Sequence, residues 1–492
     1  MNGRLSLVLL VAILLFGGAL RFGSLEQHGL AIDEAYSITL ASYDPVLIVA
    51  GTAVDQHPPL YYLVLHAWMA LTGRSLFSVR ALSVLVGWAT LPLVYVAARR
   101  LHPRAGLLAA GLLAVSPAHV WYSQVARMYA LLALFGVVST VCAWVWWTDA
   151  RRRTWLWAAA YVAATLAAVY TQYFALFLVA GQNLAAVALL WVHRGPERRR
   201  IAAQWLGMQL VVVLGFLPWL PVMLDQALHH RMDWIAPLSW AQVRSSWGYL
   251  LYGRRWAGSW PDYVAAALGL LLVALSWPGR RTAGRAPESA WYGPAAWFWT
   301  PFVLILLAGW RRPLYQEKQL LILLPALVAL VAGGLLRAPG RMWRAVLLVA
   351  VLALTAGPLI GLYTHPPQEH WHEVAAYLNA RARPGDMLYV NASSGFLALD
   401  YYLQPDLTRA GYPADYSLLS GGWEGEVATP PVIERQMSGL LAGYSRLWLV
   451  EFIPGFWDPN GLIRAWLERN AQVVERVEFG GLRVWLFTRS TP

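Results

Sequence analysis

The feature that most constrains this chain is a recurrence of uninterrupted apolar runs of about 17 to 25 residues, the length a helix needs to cross the hydrocarbon of a bilayer. Eleven can be marked, at 5–20 and at about 78–98, 105–124, 128–148, 154–171, 174–193, 202–224, 261–277, 291–310, 318–336 and 343–362. The first, after Arg4, has the length of a signal-peptide core. No small-x-small cleavage site follows it and many spans do, so it reads as an uncleaved helix. The expectation is a polytopic α-helical membrane protein. Composition agrees: 58% of the 492 residues are apolar and 13% charged, against roughly 45–50% and 25% in soluble domains. A soluble multidomain enzyme is excluded.

Charge sets which way the spans run. The net charge of +12 would suit a nucleic-acid binder if it lay on one soluble surface. Residues 1–364, however, hold 28 Lys+Arg against 12 Asp+Glu, while residues 365–492 hold 10 against 14. The basicity belongs to the membrane-embedded part, where Arg between spans sets orientation, and a nucleic-acid role loses its support. One run, from Leu60 to Leu71, is ambiguous. If it crossed, Arg99, Arg100, Arg104 and every later basic loop would flip outward. Read as a helix on the membrane surface, which suits Tyr61, Tyr62, His66 and Trp68, it leaves 17 Arg in the inner loops against only Asp149, Glu197 and Glu288. The N-terminus is then inside and the C-terminus outside. The single cysteine, Cys142, lies within an apolar run and says nothing of redox compartment.

Past Tyr363 the pattern changes. His365-Pro366-Pro367 makes a linker, and β-rich runs at Met387 to Asn391, Arg446 to Phe452 and Leu482 to Thr488 alternate with helical stretches near 369–382, 431–443 and 460–470. The expected organisation is a membrane module, 1–364, whose first outer loop is 23–77, followed by a small extracytoplasmic α/β domain, 365–492.

Positive residues explain orientation, but acids do not. Nine of the twelve acids in residues 1–364 fall on the outer side, and five of these sit in the first outer loop, two of them adjacent in the run AIDEAYS, Asp33 and Glu34. Solvation alone accounts for a bare acidic pair, so its meaning depends on its company. In DQHPPLYY, two prolines break any helix and start a new one, with Asp55 and His57 held just ahead of it. A simple helix cap is the plainer reading of Asp55. In ARMYALLALF, Arg127 stands at the outer end of an apolar helix, where a cation either snorkels to headgroups or binds an anion.

Together with RRPLYQEKQLLILLPAL and an outer domain opening HWHEVAAYLNARARPGD, these segments resemble the GT-C glycosyltransferases of the protein O-mannosyltransferase and lipid A aminoarabinose-transferase type, in order and on one membrane face. The resemblance covers most of the chain. It implies transfer of a sugar from a polyprenyl-phosphate donor to an acceptor hydroxyl at the outer face of the cell (plasma or inner) membrane. Lipid phosphate is already a good leaving group, so one base suffices, and a single displacement inverts the anomeric centre. Asp33 matches the family's catalytic carboxylate, with Glu34 assisting. Arg127 and Tyr129 match the donor-phosphate site, and His57 and Asp55 would lie near phosphate and acceptor, although relatives place Lys or His there. The late motif departs from the pattern: relatives often have Arg-Tyr directly before the leucine-rich helix, whereas this chain has Lys318-Gln319, with Tyr315 three residues earlier. Lys318, the only lysine, suits a phosphate point charge or an ordinary helix-end cation.

The outer Trp234, Trp240, Trp247, Trp256 and Trp260, with Arg244, Arg254 and Arg255, suit an interfacial belt better than a sugar platform. His365, His370 and His372 with Glu369 and Glu373 match no closed metal site, whereas Asp33, Glu34 and Asp55 are hard oxygen donors able to hold a divalent cation or to act without one. No other cofactor is implied. Asn391-Ala392-Ser393 fits a glycosylation sequon that three residues reach easily by chance. The expected partners are a polyprenyl-phosphate sugar, a hydroxyl acceptor (protein, lipid or envelope glycan) and the bilayer. The alternative is a multi-spanning lipid or glycolipid transporter or flippase, which would carry ionisable residues near the midplane of several helices. Here they gather at one face.

Overall fold

The computed structural model describes residues 3–149, 153–192, 195–229, 235–253, 259–276, 289–367, 369–404, 406–414, 416–420 and 427–489. Arg151, Arg152, Arg194, Arg280, Arg281, Arg285, Asp233 and Glu288 of the charge reading, and Trp234, Trp256, Arg254 and Arg255 of the outer loop, lie outside the described residues. The chain forms two compact units, one of Met1–Leu25, His57–Leu228 and Ile235–Pro366, the other of Glu26–Gln56, His229–Trp234 and Pro367–Pro492.

The first unit is a multi-pass helical membrane body. Six helices are long and apolar enough to cross a bilayer: Gly3–Phe22, Leu76–Arg99, Tyr129–Thr148, Ala175–Val192, Glu317–Arg337 and Gly340–Thr364. Two bent pairs, Ala105–Ala114 with Pro117–Ser123 (60°) and Arg198–Phe216 with Leu220–His229 (69°), raise the number to eight. The bends follow from proline. Ser116, before Pro117, is driven out of the helical region (φ −65°, ψ 117°), and Pro218 and Pro221 interrupt the second pair. Helices Trp155–Thr171, Trp260–Ser276 and Ser289–Arg311 occupy the remaining long apolar runs, and Leu60–Thr72 forms the ambiguous short one. At 13 residues the last is about 20 Å long, well short of a hydrocarbon core of about 30 Å.

The segment Glu317–Arg337 is the most enclosed of the six, whereas Gly3–Phe22 and Gly340–Thr364 turn most of their apolar side chains outward. It begins as a 3-10 turn, Glu317–Leu323, and continues as Leu324–Arg337 with Pro325 in its first turn. One set of polar side chains inside the unit satisfies its members mutually. Tyr161, Gln182, Ser139, Thr140, Thr165 and Gln209 form a chain of neutral hydrogen bonds across four helices. Arg21, fully buried, donates to the carbonyls of Leu113 and Ala114 and pairs with His119 Nδ1 at 2.9 Å. It thereby occupies carbonyls that the break before Pro117 strips of helical partners.

The second unit is built on a five-stranded sheet. Strands β1 (Met387–Val390), β2 (Thr408–Gly411), β3 (Arg446–Glu451), β4 (Ala471–Phe479) and β5 (Leu482–Arg489) run in the order β2-β1-β3-β5-β4. The pairs β1–β2 and β1–β3 are parallel, so they need crossover helices, which Phe396–Tyr402 and Pro430–Gly443 supply. The β4–β5 pair is an antiparallel hairpin turned by Gly480-Gly481, both at positive φ (52° and 97°) as a two-residue turn requires. Residues 26–56 also belong to this unit. The Leu30 N–H donates to Tyr402 Oη (2.9 Å) and the Ile32 N–H to Glu369 Oε2 (2.9 Å). The sequence reading grouped that loop with the membrane helices because it lies between two of them. In the structure two of its backbone N–H groups, those of Leu30 and Ile32, are taken up by residues beyond 366.

Candidate active site

In the second unit, Asp33 and Glu34 occupy the first turn of the helix Ile32–Leu40. The residue ahead of that turn is Ala31, which has no side-chain oxygen to cap the free backbone N–H groups. Two carboxylates take over the task. Glu34 reaches back to the Ala31 N–H (3.3 Å), and Glu369, from just ahead of the helix Trp371–Arg381, accepts the Ile32 N–H and the Trp371 indole N–H (2.8 Å) on one oxygen. Glu34 is buried (1% exposed), whereas Asp33 is half-buried and keeps access to solvent. A carboxylate in a first helical turn is favoured by the helix dipole, so both acids are held where their charge is supported. Burial pushes the Glu369 carboxyl above the ordinary carboxylate range. Its two N–H bonds oppose that rise, and the charges of Asp33 and Glu34 add to it. Asp55, after the helix Pro45–Ala53, is half-buried in this unit, and its charge acts on Tyr416, whose phenol is pushed up first by burial and then by Asp55.

In the first unit, Arg127 lies in the turn that opens the helix Tyr129–Thr148 and is 5% exposed. Its Nη2 stands 3.1 Å from His57 Nε2. Guanidinium has only donors, so Nε2 must accept and the imidazole proton sits on Nδ1. Lys318 Nζ lies 5.8 Å from the centre of the Tyr129 ring, within cation–π range. Tyr122 packs edge-on against Tyr129 (5.0 Å between ring centres) and Tyr249 (6.4 Å). Arg127, His57, Tyr129 and Lys318 therefore gather around one helix N-terminus. Two cations at the positive end of a helix dipole make that end attractive to an anion. Tyr315 is buried, with its hydroxyl bonded to Ser246, and Ser245 donates to Glu317 Oε1 (2.5 Å). Both bonds fasten the segment before Lys318 to the helix Trp240–Tyr252.

The structure thus brings Asp33, Glu34 and Asp55 into one unit and His57, Arg127, Tyr129, Tyr315 and Lys318 into the other. Sequence reasoning missed Glu369 as a neighbour of Asp33, although it weighed the same residue as a metal ligand. It also missed Tyr122 and Tyr249, which no motif marks. Glu373 pairs instead with His370 (3.1 Å) and His372 (3.7 Å), and among the described residues no group of three or more His, Cys, Asp or Glu is placed to hold a metal ion. Asn391 is 3% exposed and its Oδ1 accepts the Phe452 N–H (2.6 Å), so the sequon is not presented for modification. Trp247 packs into an aromatic group with Phe298, Trp299 and Phe302, whereas Trp240 and Trp260 are exposed, as belt residues are.

Residues 44–234, less than half of the chain, match the family model of dolichyl-phosphate-mannose-protein mannosyltransferases. The stretch includes Asp55, His57, Arg127 and Tyr129. No curated protein matches the chain in sequence. Its structure is similar to the crystal structure of ArnT from Cupriavidus metallidurans in the apo state, with TM-score 0.64, 16% identity and 99% of this chain and 98% of that chain covered. The same protein bound to undecaprenyl phosphate gives TM-score 0.62 and 16% identity over 100% and 99% of the two chains. The oligosaccharyltransferase of Archaeoglobus fulgidus tethered with an acceptor peptide gives TM-score 0.54 and 10% identity over 100% and 74%. At these identities the likeness is one of fold, and the fold is that of the GT-C glycosyltransferases.

Proposed function

We propose that this GT-C-fold membrane protein transfers a sugar, with inversion, from a polyprenyl-phosphate donor to an acceptor hydroxyl at the outer face of the cell membrane. The observation that carries the reading is the gathering of Arg127, His57 and Lys318 at the start of the helix Tyr129–Thr148, in part within the stretch that matches the mannosyltransferase model. An anion site of that kind fits a lipid phosphate. The ArnT structure bound to undecaprenyl phosphate supports a donor of this class. Asp33 takes the proton of the acceptor hydroxyl as its oxygen attacks the anomeric carbon, and the bond from that carbon to the phosphate oxygen breaks with its electron pair. Arg127 and Lys318 stabilise the charge that grows on the departing phosphate, and fixed donors of this kind are worth most where water is excluded. Tyr129 lines the same site, and Glu34 steadies the turn that carries Asp33. The acceptor is a hydroxyl of a protein, a lipid or an envelope glycan. Eleven spans, an inner N-terminus and outer placement of residues 26–56 and 367–492 complete the proposal, supported by the bias of Arg toward the loops assigned inside.

The test is release of polyprenyl phosphate by purified protein from a panel of polyprenyl-phosphate sugars, with an envelope extract as acceptor. Asp33→Asn should lower the rate by about a hundredfold or more, the scale of a lost general base. Release that needs no acceptor, or an Asp33→Asn variant as fast as wild type, overturns the assignment of Asp33. Donor consumption by neither protein, with lipid moved between leaflets instead, would establish the transporter.

A further inference from the structure

Glu369 is separated from Ile32 by 337 residues, yet it makes the hydrogen bond that the helix start cannot make for itself. Its position is over-determined. The same Oε2 that accepts the Ile32 N–H accepts the Trp371 indole N–H, and Trp371 is itself fully buried. A Cβ at Gly29 would fall 2.9 Å from the Glu369 carbonyl and 2.6 Å from His372 Nδ1, so the strand of chain leading to Asp33 lies directly on this turn. Charged and titratable groups stand around the carboxylate on several elements. Asp33 and Glu34 come from the helix Ile32–Leu40, and Tyr402, bonded to Leu30 N, from the helix Phe396–Tyr402. His370, His372 and Glu373 come from the start of the helix Trp371–Arg381, and the Gly480 turn covers His370.

We propose that Glu369 is a positioning residue for the transfer reaction, holding the turn from which Asp33 projects and placing a second negative charge beside it. This rests on the reading of Asp33 as the base. Two consequences separate the roles. As a hydrogen-bond acceptor Glu369 fixes where Asp33 stands, and a displaced catalytic group costs rate even when it is intact. As a charge it opposes ionisation of its neighbours by the same interaction through which they oppose its own. Burial is the first cause of the raised protonation of Glu369, and the neighbouring acids come after its hydrogen bonds.

Glu369→Gln keeps one oxygen for both N–H donors and removes only the charge. Glu369→Ala removes both. For the Gln variant we expect a rate at the optimum within about threefold of wild type, and an acid limb of the kcat/KM profile moved to lower pH by roughly half a unit or more. For the Ala variant we expect kcat lowered about 10- to 100-fold with donor KM unchanged, the scale of a misplaced group. Amide hydrogen exchange should rise over residues 29–36 in the Ala variant and stay at the wild-type level in the Gln variant, while exchange in β1 and β3 reports that the unit remains folded. The inference is overturned if the Ala variant exchanges and turns over like wild type, or if the Gln variant leaves the acid limb in place. Should wild-type protein release no polyprenyl phosphate from any donor, the transferase reading fails. The exchange comparison then still decides whether Glu369 holds this turn.

Discussion

At the scale of the residue, Arg127 separates geometry from charge. Lysine would keep the cation and lose the planar fork that meets His57 Nε2. We expect Arg127→Ala to lower kcat by about 10²- to 10³-fold, the cost of an oxyanion donor, and Arg127→Lys to recover only part of it, as read by donor release at saturating acceptor. Glu369 has a signature in stability as well as in rate. Its folded-state protonation lies above the ordinary value of 4.5, so the folded protein binds this proton more tightly than the unfolded chain. The resulting stability is present at low pH and is lost as pH rises from about 4.5 through the raised value. Thermal midpoints should show wild type falling behind Glu369→Gln as pH increases over that window. Asp33 and Arg127 could be picked out as candidates in the sequence because each stands in a short run of distinctive order. Glu369 could not, since a pairing across 337 residues leaves no periodicity, and its neighbours His370, His372 and Glu373 offered a metal as a decoy.

At the scale of the element, close helix approach depends on single glycines. A Cβ on Gly334 would stand 1.9 Å from the backbone oxygen of Leu272, an atom that cannot swing aside. Gly334→Ala should therefore force the helices Leu324–Arg337 and Trp260–Ser276 apart and destabilise by about 1–3 kcal/mol, the usual cost of overpacking, seen as a lower thermal midpoint in detergent. Helices were read well because a run such as Tyr129–Thr148 is apolar throughout. The bends at Pro117 and near Pro218 were legible as prolines, but their angles of 60° and 69° depend on packing. The strands β1, β3 and β5 announced themselves through Met387 to Val390, Leu447 to Val450 and Val484 to Phe487, all buried. Strand β4, AQVVERVEF, did not, because an edge strand with one neighbour exposes most of its residues. Strand β2 spans only four residues, TRAG, and carries no alternation.

At the scale of the whole molecule, the proposed orientation makes a labelling prediction. Cys142 is the only cysteine and is buried, so a Cys142→Ala background leaves no native thiol. Ser438→Cys on that background, at an exposed site of the helix Pro430–Gly443, should react with a membrane-impermeant maleimide in intact cells. Protection until the cells are opened would place the C-terminal sheet on the inner side and reverse the topology. The composition changes near 364, but nothing in 26–56 says that these residues group with those beyond 366. That discontinuity has a consequence for biogenesis. Some 310 residues are translated between Gln56 and Pro367 of the second unit, about 15–60 s of synthesis at ~5–20 residues per second. Throughout that interval the turn bearing Asp33 is already made and its clamp is not. A chain that ends before Glu369 carries the turn of Asp33 without the acceptor for its Ile32 N–H, so the last segment synthesised completes the first, and under the proposed mechanism the full rate of transfer waits for it.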